Sequence, residues 1–350
     1  MAGLETDIET GNRGGGPIAG LIPHGGNLFR ARALFPHAPE PWIDLSTGIS
    51  PYSYPHSPIP GNAFARLPEP VMAERLKEIA AEAYGAPSAR HVAAGPGTQI
   101  LLPIIAGLLG EASGHVANVL SPTYAEHARA ARLAGFEVSE TDDLNRVAEG
   151  RLAVIVNPNN PTGRTVSKSD LLSLASVMRA KGGLLVVDEA FMDVSEAKSV
   201  AGAVDQGGLV VLRSFGKFYG MAGLRLGFAM ATHDIVERIE SRLGPWAVSG
   251  PALHVASEAL ADSAWQQATR ATLNGEALRL DGLLAAAGIP VFGGTSLFRF
   301  IRDPRAQVLF RHLGERGIIT RRFEERSDDL RIGLPGDADW VRVEEALRAI

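Results

Sequence analysis

The sequence of 350 residues predicts an α/β fold: a large domain on a mainly parallel sheet and a smaller α+β C-terminal domain. Three observations carry the prediction. Short apolar runs alternate with helical stretches from Val92 to about residue 243, the pattern of consecutive βα units. Two of those runs, Leu152–Val156 and 184–187, end directly in polar clusters, Asn157-Pro158-Asn159-Asn160-Pro161-Thr162-Gly163 and Asp188-Glu189-Ala190-Phe191. A third cluster, over 214–227, sets Lys217 between the hydroxyl of Ser214 and the guanidinium of Arg225 among glycines. Open α/β sheets bind ligands beyond the C-terminal ends of their strands, so chemistry is expected at these clusters.

The elements follow in order. Residues 1–20 are Gly-rich and polar and are expected to form a flexible tail; Glu5, Asp7 and Glu9 stand where a signal peptide would be basic and then apolar. Residues 21–60, dense in Pro, Gly and Ser, predict an N-terminal arm packed on another surface. A helix is expected over 71–84, closed by Gly85, and then strands at 92–94, Val116–Leu120, Leu152–Val156, 184–187 and 209–212. A break near Gly244-Pro245 divides a large domain, 61–245, from a small one, 246–350. The Ala/Leu-rich stretch 251–287 reads as one long helical crossing. Strands at 296–301, 318–320 and 330–332 then alternate with helices at 305–316 and 337–349.

Composition narrows the function. With 45% hydrophobic residues the chain can build a large core, and 34 basic against 39 acidic residues give a net charge of −5 with no basic run. No nucleic-acid or membrane partner is expected, no apolar run approaches a membrane span, and the protein is expected to be cytoplasmic. Cysteine is absent, which excludes disulfides, thiolate catalysis and Cys-based metal sites; no metal is expected. Small-molecule chemistry remains.

A lysine in a Gly-rich loop is by itself more often a solvated side chain, and Asn-Pro segments often make plain turns. Together the clusters fit pyridoxal 5'-phosphate, which needs an amine for its aldehyde, a carboxylate against its pyridine nitrogen, and hydroxyl, guanidinium and backbone donors for its phosphate. Lys217, Asp188, and Ser214 with Arg225 would supply these, and the Asn160 amide could reach the ring O3' oxygen. Gly95-Pro96-Gly97-Thr98-Gln99 follows a strand and opens an apolar helix, whose N-terminus suits a phosphate.

In this order the motifs resemble the fold-type I pyridoxal-phosphate enzymes, the aspartate aminotransferase superfamily, over essentially the whole chain from His24 onward. The resemblance implies that Gly97, Thr98 and Gln99 join Ser214 and Arg225 at the cofactor phosphate, that Tyr124 stacks on the pyridine ring, and that Arg331 meets a substrate carboxylate. Within the superfamily, His24-Gly25-Gly26-Asn27, the segment 213–227, Pro245-Trp246-Ala247-Val248 and 262–267 look similar to decarboxylases that act on a phosphorylated amino acid. That likeness makes His24, Gly25, Asn27 and Arg321 substrate contacts, with Arg322 on a solvated face. It implies decarboxylation of L-threonine O-3-phosphate to (R)-1-amino-2-propanol O-2-phosphate for the cobalamin side chain, by a homodimer with shared active sites.

Three positions depart from the pattern. Phe191 stands where many aminotransferases have a tyrosine, Leu67 where relatives have a tyrosine reaching the partner subunit, and Ser50 replaces a common asparagine. The segment after Arg321 is also shorter than in close relatives. Two other readings stay open: an aminotransferase acting on a compound such as histidinol phosphate, and a non-catalytic protein of the same fold. The intact Lys217, Asp188, Asn160 and Arg225 argue against the last.

Overall fold

The computed structural model describes residues 24–110 and 114–350, so the tail expected over 1–20 and the start of the arm lie outside the described residues. After the two-residue strand β1 (Ile43–Asp44) come the strands of the main sheet: β2 (Val92–Gly95), β3 (Val116–Leu120), β4 (Glu137–Thr141), β5 (Leu152–Val156), β6 (Leu184–Asp188), β7 (Leu209–Ser214) and β8 (Gly227–Met230). Their order is β2-β8-β7-β6-β5-β3-β4. Neighbours are parallel except at β8, which runs antiparallel to β2 and β7.

The central strands read as unbroken apolar runs because both faces of the sheet are buried. Ala153, Ile155, Leu185, Val187, Leu209 and Val211 face one core, shared with Leu76, Leu171 and Leu253 of the covering helices. Their neighbours Leu152, Val154, Leu184, Val186, Val210 and Leu212 face the other, under Leu101, Ile105, Val236 and Ile239. The period of two along each strand thus serves two helical layers at once.

Two strands of this sheet differ from the sequence expectation. At the edge, β4 reads Glu-Val-Ser-Glu-Thr, is only partly buried and pairs only with β3, so it lacks the apolar run that marked the others. The four buried residues of β8 begin at Gly227, the last residue of the Gly-rich Lys217 cluster, whose composition reads as loop.

A second sheet is antiparallel. The remaining strands are β9 (Val291–Thr295), β10 (Phe298–Arg302), β11 (Ile318–Ile319), β12 (Arg321–Phe323) and β13 (Arg326–Gly333). Four of them pair in the order β12-β13-β10-β9, while β11 pairs in parallel with β1 and ties the arm to this region. The stretch expected as one helix over 251–287 is two helices, Gly250–Ala261 and Ser263–Ala286. The break falls at Asp262, whose carboxylate caps the second helix by accepting from Trp265 N at 2.9 Å.

The arm is not wholly irregular. It contains the helix Leu28–Leu34, and it packs back on the chain through Tyr54, whose ring meets Trp265 edge-on at 5.1 Å. This return path brings His24 to the C-terminal ends of the sheet strands. Among the described residues no helix is long and apolar enough to cross a membrane.

Candidate active site

One cavity of about 430 Å³ lies at those strand ends. It is lined by Gly97, Thr98, Gln99, Tyr124, Asn160, Asp188, Ser214, Lys217 and Arg225, and also by His24, Gly25, Arg321 and Arg331. Of the residues expected to contact cofactor or substrate, Asn27 is missing from this wall. Its side chain is engaged as the N-cap of Leu28–Leu34, accepting from Arg30 N at 2.9 Å.

Lys217 sits in the short helix Phe215–Phe218 that leaves β7. Its amine has no hydrogen bond among the described residues and stands 5.7 Å from the Phe191 ring centre. Burial, reinforced by the positive charge of Arg331, lowers its pKa from 10.5 to about 8, with Asp188 opposing and Arg225 adding to the shift. It is the one lysine on the cavity wall among the described residues.

Asp188 ends β6 and is buried. Its Oδ1 accepts from Ala190 N at 3.0 Å and its Oδ2 lies 2.8 Å from His127 Nε2. As a carboxylate it can only accept, which selects the Nε2–H form of the imidazole. His127 was not singled out in the sequence; it follows Tyr124 by three residues and lies edge-on to its ring at 5.9 Å.

The Asn-Pro loop separates its asparagines by task. Asn157 and Asn159 spend their amides on the backbone and on neighbouring hydroxyls: Asn157 on Val166, Asn159 on Thr162 within the loop and on Pro122 O and the Thr123 hydroxyl of the loop after β3. Asn160 lines the cavity, its Oδ1 accepting from Arg331 NH1 at 2.5 Å.

The anion cradle joins three elements. Ser214 closes β7, Arg225 leaves the Gly-rich cluster with φ 53°, and Gly97 turns β2 into the helix Thr98–Ala106. Gly97 has φ 88°, and a Cβ there would stand 2.8 Å from Arg225 NH2, so only glycine lets the turn and the guanidinium share this space. Donors at a helix N-terminus, two hydroxyls and a guanidinium form a set that fits a phosphate. With the unpartnered amine of Lys217 and the carboxylate of Asp188 across the same cavity, the donor set fits pyridoxal 5'-phosphate.

Two further cations line the same cavity. Arg321 and Arg331 are paired across β12 and β13. Arg331 is buried, donates from NH2 to Ser46 O at 2.7 Å, and keeps an Nε with no partner among the described residues. Burial and the neighbouring Arg321 charge lower its pKa to about 10, and burial likewise lowers that of Arg321. Arg322 points away, over the Phe310 ring at 5.0 Å.

His24 reaches the cavity because the arm is pinned. Gly26 N donates to Ser46 Oγ at 2.7 Å, and that hydroxyl donates to Asp44 Oδ1 at 2.5 Å. A Cβ on Gly25 would collide with the Ser46 carbonyl oxygen, so glycine serves contact between arm and chain there. Beyond His24 lies Glu126, buried, which the sequence reading also passed over. Tyr124 links these groups: its hydroxyl, pushed up to about 12 by burial and by Glu126 and Asp188, donates to Gln99 Oε1 at 3.0 Å.

The family profile of the aminotransferases of class I and II matches residues 59–350. A threonine-phosphate decarboxylase of Sinorhizobium sp. is 44% identical over 322 residues, 91% of this chain and 94% of the relative. Another, from Pseudomonas aeruginosa, is 40% identical over 331 residues, covering 93% and 97%. The crystal structure of histidinol-phosphate aminotransferase from Sinorhizobium meliloti in complex with pyridoxal-5'-phosphate superposes with a TM-score of 0.81 at 20% identity, over 94% of this chain and 95% of that one. At that identity the likeness is one of fold.

Proposed function

The chain belongs to the class I and II aminotransferase family, and from that premise we propose that it is a pyridoxal-phosphate enzyme that decarboxylates L-threonine O-3-phosphate to (R)-1-amino-2-propanol O-2-phosphate. The observation that carries this is the name shared by both relatives at 40% identity or more, each matched over nearly its full length. The cavity agrees with it. Two arginines and a histidine line it, a set suited to a substrate that carries a phosphate and a carboxylate.

When bound, pyridoxal 5'-phosphate supplies an electron-accepting ring for the pair left at the substrate Cα as carbon dioxide departs. Ser214, Thr98, Arg225 and the backbone of Gly97–Gln99 would hold its phosphate. Asp188, held by His127, would meet the ring nitrogen and favour its protonated form, while Tyr124 would cover the ring and the Asn160 amide would serve O3'. Arg321 takes the substrate phosphate together with Arg331, which here serves the phosphate in place of the carboxylate that the superfamily resemblance implied, and His24 faces the carboxylate. That placement sets the bond from Cα to the carboxylate as the one that breaks. Lys217 Nζ then returns a proton to Cα, so one carbon dioxide and one amino-alcohol phosphate leave per substrate.

We extend the proposal to a homodimer in the cytoplasm. Phe64, Leu67 and Val71 stand exposed close together in the chain, apolar surface of the kind a second subunit covers. Leu67 cannot donate to a partner's cofactor as a tyrosine would, so the phosphate cradle rests on the donors named above.

The test is stoichiometry. Protein loaded with the cofactor and given L-threonine O-3-phosphate should release carbon dioxide and aminopropanol phosphate one to one, with no keto acid. A keto acid accumulating in place of carbon dioxide would assign the chain to the aminotransferases. The Lys217 amine adds a pH dependence. Only its neutral form attacks an aldehyde, so uptake of pyridoxal phosphate by cofactor-free protein should quicken about tenfold per pH unit up to about 8 and level off above. A rate flat from pH 6 to 8 would contradict the lowered value.

A further inference from the structure

Glu126 is a buried carboxylate with three donors on two oxygens. Its Oε1 lies 2.9 Å from His24 Nε2; its Oε2 accepts from Gln99 Nε2 at 2.5 Å and from Arg129 NH1 at 3.3 Å. Gln99 in turn accepts from the Tyr124 hydroxyl at 3.0 Å. A chain of contacts therefore runs from the ring at the cofactor position, through the helix turn of the phosphate cradle, to the histidine on the substrate side. Its centre is Glu126, the first residue of the helix Glu126–Leu133, which also carries His127 one position on.

We propose that Glu126 is a positioning residue for His24: it accepts from Nε2–H and fixes the imidazole at the cavity edge, so that Nδ1, when it carries a proton on substrate binding, donates to an anionic group of the substrate. This rests on the function proposed above. His24 needs such a holder because it is half-exposed at the beginning of the described arm, with Nδ1 unpartnered among the described residues. The Tyr124 ring, 5.8 Å away and tilted, gives it a neighbour but no direction. A carboxylate is the side chain that suits the place. Glutamine would offer one acceptor oxygen and an amide that donates, so with Gln99 and Arg129 on its oxygen it would turn a donor toward His24 Nε2 and push that proton toward Nδ1.

The experiment uses the full chain loaded with pyridoxal phosphate, as wild type, Glu126→Gln, His24→Asn and the double variant, with L-threonine O-3-phosphate as probe. Each single variant should raise KM about tenfold and change kcat less than about threefold, because one substrate contact is lost while Arg321 and Arg331 keep the bound substrate oriented and the chemical groups stay. In the double variant the Glu126 change should add little to the His24 change, since the two act as one unit. Glu126→Asp, which keeps both acceptors, should recover part of the loss. Independent multiplication of the two effects, or a loss confined to kcat, would overturn the proposal.

A second readout does not depend on turnover. Nitrogen-15 histidine spectra should show the His24 proton on Nε2 in the wild type and shared between the ring nitrogens in Glu126→Gln. If the wild type turned over no L-threonine O-3-phosphate, the substrate reading would have failed and these spectra alone would decide. An unchanged proton position in Glu126→Gln would then remove the role assigned to Glu126.

Discussion

Lys217→Ala should lower decarboxylation of L-threonine O-3-phosphate by about four orders of magnitude or more, and the visible absorbance of the loaded protein should disappear. No second lysine lines the cavity among the described residues, so nothing nearby can replace its covalent attachment or its proton delivery. Folding failure can be separated from this loss. The folded protein holds Lys217 at about 8 against 10.5, so burying the charged amine costs stability. That cost is complete below pH 8 and disappears as pH rises past 10.5, where both states hold the neutral amine. At pH 7 alanine removes it, so the melting temperature of the variant should not fall. Substantial turnover in a folded variant would refute the role of Lys217.

Asp188→Asn has the next largest expected effect, a fall in kcat of about a hundredfold to a thousandfold with a smaller change in KM. The substitution keeps shape, and the side-chain oxygen can still accept from Ala190 N. The negative charge is what goes. The ring nitrogen then loses the partner that keeps it protonated, and the electron sink weakens after substrate is already bound. The amide also turns a donor toward His127 Nε2, which must shift its proton to Nδ1. An Asp188→Asn variant with wild-type kcat would place the carboxylate outside the chemistry.

Much of this was legible in the chain because each strand end carries its chemistry directly after an apolar run. Leu152–Val156 before the Asn-Pro loop and 184–187 before Asp188 are buried on both faces, so their composition leaves no other reading. The Lys217 cluster follows β7 in the same way. What escaped lay in side chains whose meaning is tertiary. His127 and Glu126 occupy one polar helix turn, and only the fold sets the first on Asp188 and the second on His24. Asn27 held a readable signal: an asparagine just before Leu28-Phe29-Arg30 is an ordinary N-cap, and its side chain is spent there. The edge strand β4 was hidden because exposure removes the apolar pattern.

Glu189 and Arg213 show how the strand ends are held in place. Each directly neighbours a cavity residue, Asp188 or Ser214, and they pair at 3.3 Å in the interior. Asp193 joins Arg213 as well, and Tyr84 lies 4.3 Å from its guanidinium. Burial alone would lower Arg213, and the two carboxylates reverse the shift and hold it charged. This buried network joins the ends of β6 and β7, from which Asp188 and Ser214 project.

The most direct test compares two reactions on one preparation of cofactor-loaded protein: decarboxylation of L-threonine O-3-phosphate, and amino transfer from histidinol phosphate to 2-oxoglutarate. The kcat/KM for the first should exceed that for the second by about a thousandfold or more. The reverse order would contradict the decarboxylase reading and make the chain an aminotransferase that uses the same lysine, aspartate and arginines.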